Sequence, residues 1–257
     1  MAAQPSRFVW YELMTSDPAA ARAFYGQVVG WQMSDSGMPG MDYTLLSVGD
    51  RHVAGLMALP AEACAAGVPP NWSGYLAVDD VDAQAAAVAQ AGGQLLRPAE
   101  DIPGVGRFAV VADPAGAAFC LFKDNNAGEM APLPPGTPGG VDWHELMGGP
   151  LDAAWAFYGP LLGWEKSDAI DMGPMGSYQM FKAGDAVIGG MMAKPPEMPV
   201  AAWNYYIAVD AIDAAAARVQ AGGGRVINGP MEVPGGSWVL NAVDPQGAHF
   251  SLVAPKR

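Results

Sequence analysis

Two glutamates stand inside apolar, strand-like segments of this sequence. Glu12 lies in the run Phe8 to Met14, and Glu145 lies in Trp143-His144-Glu145-Leu146-Met147. Each follows a tryptophan by two residues, Trp10 and Trp143, so in an extended strand each Trp–Glu pair shares one face. A carboxylate buried there without a partner would cost several kcal/mol. Either an ion pair or hydrogen bonds compensate it, or it is a cavity carboxylate whose raised pKa suits a general base or a polar anchor. Of the three histidines, His52 follows a Gly-Asp turn and reads as a solvated turn residue. His144 alternates to the face opposite Trp143 and Glu145, where packing is expected rather than ligation. Cys64 and Cys120 are too far apart for a redox pair and too few for a disulfide scaffold, so they read as two buried, inert thiols. The sequence holds no GxSxG elbow, phosphate loop, dinucleotide fingerprint or HExxH.

The elements that must position these residues come in repeats. Trp10-Tyr11-Glu12-Leu13-Met14 recurs as Trp143 to Met147, and Ala23-Phe24-Tyr25-Gly26 recurs as Ala156-Phe157-Tyr158-Gly159, both 133 positions on. Trp72 to Asp82 answers Trp203 to Asp213, and Asp113-Pro114-Ala115-Gly116 answers Asp244-Pro245-Gln246-Gly247, both 131 positions on. The chain is therefore a tandem duplication. Residues 1–124 form the first domain and 141–257 the second, joined by the Pro/Gly-rich linker 125–140.

Within a copy, the strand Phe8 to Met14 precedes Ser16-Asp17-Pro18, a cap and first-turn proline. The helix that follows is expected to bury Ala20, Ala23, Phe24 and Val28 and to end at Gly30. Three short strands follow, near Trp31, Tyr43 to Val48 and His52 to Ala58. After a Pro-containing loop come a strand at Gly74 to Val78, a helix from about Val81 to Ala91, and strands near Gln94 to Glu100, Arg107 to Val111 and Ala118 to Phe122. Each copy thus reads as two β-α-β-β-β modules, an α+β class.

The 13 Lys and Arg against 26 Asp and Glu give a net charge of −13. That charge disfavours nucleic acid and anionic membrane surfaces as partners. No stretch has the length of a membrane span and no leader pattern opens the chain, so a cytoplasmic protein, monomer or homodimer, is expected.

An aromatic first strand, Asp-Pro, a helix holding Phe-Tyr, then Gly-Trp, Val-Asp-Asp-Val-Asp, Ala-Gly-Gly and a terminal Asp-Pro-x-Gly together resemble the vicinal oxygen chelate superfamily, the glyoxalase, bleomycin-resistance and extradiol-dioxygenase group. The WYEL and WHEL openings and the two-domain form are most similar to its mycobacterial antigen and actinobacterial "hydroxylase" branch. The resemblance implies two tandem glyoxalase-like domains, each of two paired modules forming a curled, partly open mixed sheet with a ligand on its concave face.

In metal-dependent members, a His or Gln on the first strand, a His on the fifth and a Glu on the eighth hold one divalent ion. The matching positions here are Trp10, Ser73 and Cys120, and in the second copy Trp143, Asn204 and Ser251, which do not form a usual ligand set. The resemblance therefore implies a small-molecule ligand and no cofactor, with a divalent metal only at a non-standard site built on Glu12 or Glu145 with His249. Strand parity adds Tyr75 and Tyr206 to the cavity wall, and the segments Met38 to Met41 and Met172 to Met175 suit an apolar ligand. His249 shares parity with Ser251, which makes it, with Glu145, the expected catalytic pair if the chain is a lyase, isomerase or hydroxylase. The other expectation is a binding protein for a hydrophobic or planar small molecule, with Trp10, Glu12, Ser73, Tyr75, Cys120, Trp143, Asn204, Tyr206 and Ser251 as ligand contacts.

Overall fold

A computed structural model describes residues 4–125 and 133–257; part of the expected linker, 126–132, lies outside the described residues. The first copy runs β1 (Phe8–Thr15), α1 (Pro18–Val28), β2 (Gln32–Asp35), β3 (Tyr43–Val48), β4 (Arg51–Ala58), α2 (Ala61–Ala65), β5 (Asn71–Ala77), α3 (Val81–Gln90), β6 (Gln94–Ile102), β7 (Gly106–Ala112) and β8 (Ala118–Asp124). The second runs β9 (Val141–Gly148), α4 (Leu151–Leu162), β10 (Glu165–Asp171), β11 (Ser177–Ala183), β12 (Ala186–Ala193), β13 (Ala202–Ala208), α5 (Ile212–Ala221), β14 (Arg225–Glu232), β15 (Trp238–Val243) and β16 (His249–Ala254). The strands form two eight-stranded sheets, in the orders β2-β3-β4-β1-β5-β8-β7-β6 and β10-β11-β12-β9-β13-β16-β15-β14. Both are mixed: β1 pairs with β4 in parallel while β3 and β4 are antiparallel, and β9, β11 and β12 repeat the arrangement. The class is α+β, with the two β-α-β-β-β modules per copy that the patterns predict and one short helix, α2, that they do not. Among the described residues, no helix is long and apolar enough to cross a membrane.

Packing divides the chain differently from the repeat. One compact unit comprises the described residues of Met1–Val9, Ser73–Pro132 and Trp143–Trp203, and the other Trp10–Trp72, Leu133–Asp142 and Asn204–Arg257. Each unit therefore takes one module from each copy. The repeated motifs explain how. In the second unit the buried Tyr25 hydroxyl donates to Asp244 Oδ2 at 3.1 Å and accepts from Trp72 Nε1 at 2.9 Å. In the first, Tyr158 donates to Asp113 Oδ2 at 3.1 Å and accepts from Trp203 Nε1 at 3.1 Å. The Phe-Tyr of one copy thus bonds the Asp-Pro-x-Gly turn of the other, reciprocally. Each Asp also braces its own turn: Asp113 Oδ1 accepts from the backbone of Ala115 and Ala117, and Asp244 Oδ1 from Gln246 and Ala248.

Helix α1 starts as its sequence predicts, with Asp17 Oδ1 accepting from Ala20 N at 3.0 Å and Pro18 in the first turn. Its buried stripe, however, is Ala21, Phe24, Tyr25 and Val28; Ala23 is exposed and Ala20 only half-buried. The expected stripe is off because it leaves Tyr25 outside. Phe24 and Tyr25 both turn inward and pack edge-to-face on Phe250, with centroids 5.7 and 5.4 Å away, and the stripe follows both rings.

Candidate functional site

Strand β1 carries Trp10 and Glu12 on one face, and β3 opens with Tyr43. The indole Nε1–H of Trp10 donates to the Tyr43 hydroxyl at 2.9 Å, and that hydroxyl donates to Glu12 Oε2 at 3.0 Å. Glu12 is 9% exposed, so this bond answers in part the desolvation that its place in an apolar strand imposes. Tyr43 must reach across β4 to get there, and it does so over Gly55, the residue in register with Glu12. A Cβ on Gly55 would land on the hydroxyl end of the Tyr43 ring.

The second copy repeats the construction. Trp143 Nε1 donates to Tyr178 at 2.7 Å, Glu145 is 7% exposed, and Gly190 is in register with Glu145. A Cβ on Gly190 would land on the Tyr178 ring. Tyr43, Tyr178, Gly55 and Gly190 were not among the residues predicted from sequence. In both copies the tyrosine precedes the glycine by 12 positions, a shared spacing that is the signal for them.

A polar relay occupies the second unit. Asn228 Nδ2 donates to Asn241 Oδ1 at 3.2 Å, and Asn241 Nδ2 donates to Ser251 Oγ at 2.8 Å and to the Tyr206 hydroxyl at 3.4 Å. Ser251, fully buried, donates to Asn204 Oδ1 at 2.9 Å. Three of the sequence-predicted residues, Asn204, Tyr206 and Ser251, therefore belong to one network. In the first unit Ser73, Tyr75 and Cys120 are all buried, Tyr75 lies in register with Cys120, and its ring packs near Phe108 and Phe122.

A profile of the glyoxalase/bleomycin resistance protein/dioxygenase superfamily matches residues 7–121 and again 140–252. The chain belongs to this superfamily. Relatives from Mycobacterium bovis and Mycobacterium tuberculosis, both named "Putative glyoxylase CFP32", are 37% identical over 248 residues, spanning 96% of this chain and 94% of theirs. The "Anthracycline biosynthesis protein DnrV" of Streptomyces peucetius is 33% identical over 263 residues, spanning 97% and 93%. Among solved structures, an Mn(II)-bound glyoxalase from Novosphingobium aromaticivorans superposes with a TM-score of 0.65 at 21% identity, over 98% of this chain and 82% of that one, a likeness of fold.

At four of the six positions that match the superfamily's metal ligands, the side chains are engaged in other bonds. The Trp10 and Trp143 indoles are hydrogen-bond donors spent on tyrosines, and Ser251 and the Asn204 carbonyl are already bonded to each other. Among the described residues, no three His, Cys, Asp or Glu side chains come together as a metal site.

His249 is exposed at the first position of β16 and belongs to the second unit, whereas Glu145 belongs to the first. His144 is packed: its ring stacks on Phe8 at 4.2 Å, Nδ1 donates to the Ile188 carbonyl at 2.6 Å, and burial pushes its pKa down to about 4. His52 is exposed, with Nδ1 2.9 Å from Ser47 Oγ. Cys120 is buried, but Cys64 is exposed, contrary to the sequence reading, because the unforeseen helix α2 buries none of its residues. Met41 and Met175, at the ends of the Met-rich segments, are also exposed.

Proposed function

We propose that this glyoxalase-superfamily chain binds a planar, largely apolar small molecule against the strand faces that carry Trp10, Tyr43 and Glu12 and their counterparts Trp143, Tyr178 and Glu145, without the superfamily's metal triad. The observation that carries the reading is the use of the two indoles. At the first-strand position where a metal ligand would need a lone pair, both copies place an N–H donor committed to a tyrosine hydroxyl. The same residues offer flat aromatic surface, and Glu12 and Glu145 supply carboxyl oxygens that fix the orientation of a ligand hydroxyl or amine. Glyoxylase and anthracycline biosynthesis, the names its relatives carry, both belong to small-molecule chemistry.

The test is tryptophan fluorescence titration with a panel of planar aromatic compounds, before and after exhaustive dialysis against chelator. Saturable quenching that survives chelation is expected. Quenching that requires stoichiometric Mn, Ni, Zn or Fe, lost in Glu12→Gln and Glu145→Gln, would overturn the metal-free reading.

A second reading, a lyase or isomerase with Glu145 as general base, draws on the 37% identity to proteins named as glyoxylase. Turnover of a 2-oxoaldehyde–thiol hemithioacetal that Glu145→Gln abolishes would favour it.

A further inference from the structure

The relay in the second unit has a direction. Asn228 donates to Asn241, Asn241 to Ser251 and Ser251 to Asn204, each through a side-chain amide or hydroxyl. The last bond uses the Asn204 carbonyl oxygen as acceptor. Its amide nitrogen is thereby turned the other way, with two N–H donors that meet no hydrogen-bond partner among the described residues, on a half-buried side chain. Ser251 is fully buried, and its hydroxyl bonds to both neighbours, accepting from Asn241 and donating to Asn204, which ties the orientation of Asn204 to the network.

The first copy has no asparagine at the positions of Asn204 and Asn241, where it carries Ser73 and Val110. In the strand register Asn241 faces Ser251, and the corresponding pair in the first copy is Val110 facing Cys120. Neither can pass on an oriented amide bond.

We infer that Asn204 is a recognition residue for a carbonyl oxygen of the ligand, with Ser251 and Asn241 as the residues that position it, and that this recognition exists in the second copy only. The inference rests on the metal-free reading above. Where metal-dependent members of the superfamily direct an ion at a substrate oxygen, this chain directs an amide N–H, so the ligand class is a planar ketone or quinone.

Equilibrium dialysis of the full chain with 9-fluorenone and with fluorene, the same ring system without the oxygen, tests it. The ketone is expected to bind about tenfold more tightly, the effect of one well-placed hydrogen bond. Asn204→Asp keeps the shape but replaces the donor with an acceptor, and should bring the ratio of fluorenone to fluorene affinity down to about one. Asn241→Asp removes the donor to Ser251, lets the Ser251 hydroxyl turn to the carboxylate introduced there, and reverses Asn204. Preference should then pass from fluorenone to 9-hydroxyfluorene, which can donate. Equal binding of ketone and hydrocarbon by the unmodified chain would overturn the inference and leave the binding reading standing, as would a ketone preference that persists in Asn204→Asp. A preference of the unmodified chain for 9-hydroxyfluorene would mean that the relay runs in the opposite sense, and would overturn the inference too. Binding of none of the three removes the binding reading and the inference together.

Discussion

Replacing Gly190 with alanine should damage the second-copy site from beneath. Gly190 is buried in the middle of β12, with backbone partners on both sides, Met180 on β11 and Glu145 on β9. The strand cannot retreat, so the added methyl group must expel the Tyr178 ring that lies over this position. Two costs add. Overpacking at a well-filled site costs about 1–3 kcal/mol. Loss of the 2.7 Å bond from Trp143 Nε1 to Tyr178 adds about 1 kcal/mol. Urea denaturation of Gly190→Ala should therefore show a loss of about 2–4 kcal/mol, beyond the small effect of an unconstrained Gly→Ala change. The cause is tested by a double-mutant cycle with Tyr178→Ala. Once the ring is gone the methyl group has room, so the double variant should be scarcely less stable than Tyr178→Ala alone, with a coupling of at least about 1.5 kcal/mol. Gly190→Ala within about 0.5 kcal/mol of the parent, or costs that simply add, would refute the argument. Gly55→Ala with Tyr43→Ala should behave in parallel in the first copy.

The buried histidine predicts a pH dependence. The folded-state pKa of His144 is about 4, below its ordinary 6.5, so between these values the unfolded chain takes up a proton that the folded chain refuses. Stability present above pH 6.5 should fall as pH drops towards 4, by about 2–4 kcal/mol in all. Denaturation midpoints from pH 7.5 to 4.5 should show this slope, and His144→Phe, which preserves a ring against Phe8, should flatten it; an unchanged slope would assign the effect to other groups. Tyr25→Phe leaves Asp244 Oδ2 and Trp72 Nε1 without their shared hydroxyl, at a cost of about 1–3 kcal/mol by urea denaturation. The Asp244 carboxyl, already held above the usual range by burial, should rise further in this variant, which carboxyl-carbon NMR titration reads directly.

Most elements were legible because punctuation and period agreed. Asp17-Pro18 starts α1, the largely apolar run from Tyr43 to Val48 coincides with β3, and Asp-Pro-x-Gly turns precede β8 and β16. Trp10, Glu12, Trp143 and Glu145 were visible because two copies carried the same unusual pair. Their tyrosines were not, since Tyr43 lies 31 positions from Glu12 and reaches it only because a glycine leaves space on the intervening strand. Asn241 gave no signal at all. Its role comes from facing Ser251 across a strand register, which no local pattern encodes.

The pairing of modules was hidden for a different reason. By pattern alone Tyr25 matches Asp113 as well as Asp244, because the two Asp-Pro-x-Gly turns are equivalent by sequence; the hydrogen bond to Asp244 distinguishes them. A duplicated chain thus displays its motifs twice but not which copy completes which. The same ambiguity bears on function. The Trp–Tyr–Gly–Glu construction is common to both copies and can be inferred from either, whereas the Asn204 relay depends on Asn241 and Ser251, which Val110 and Cys120 replace in the first copy. Repetition made the shared scaffold readable, and the departures from repetition are where the two copies can differ in what they recognise.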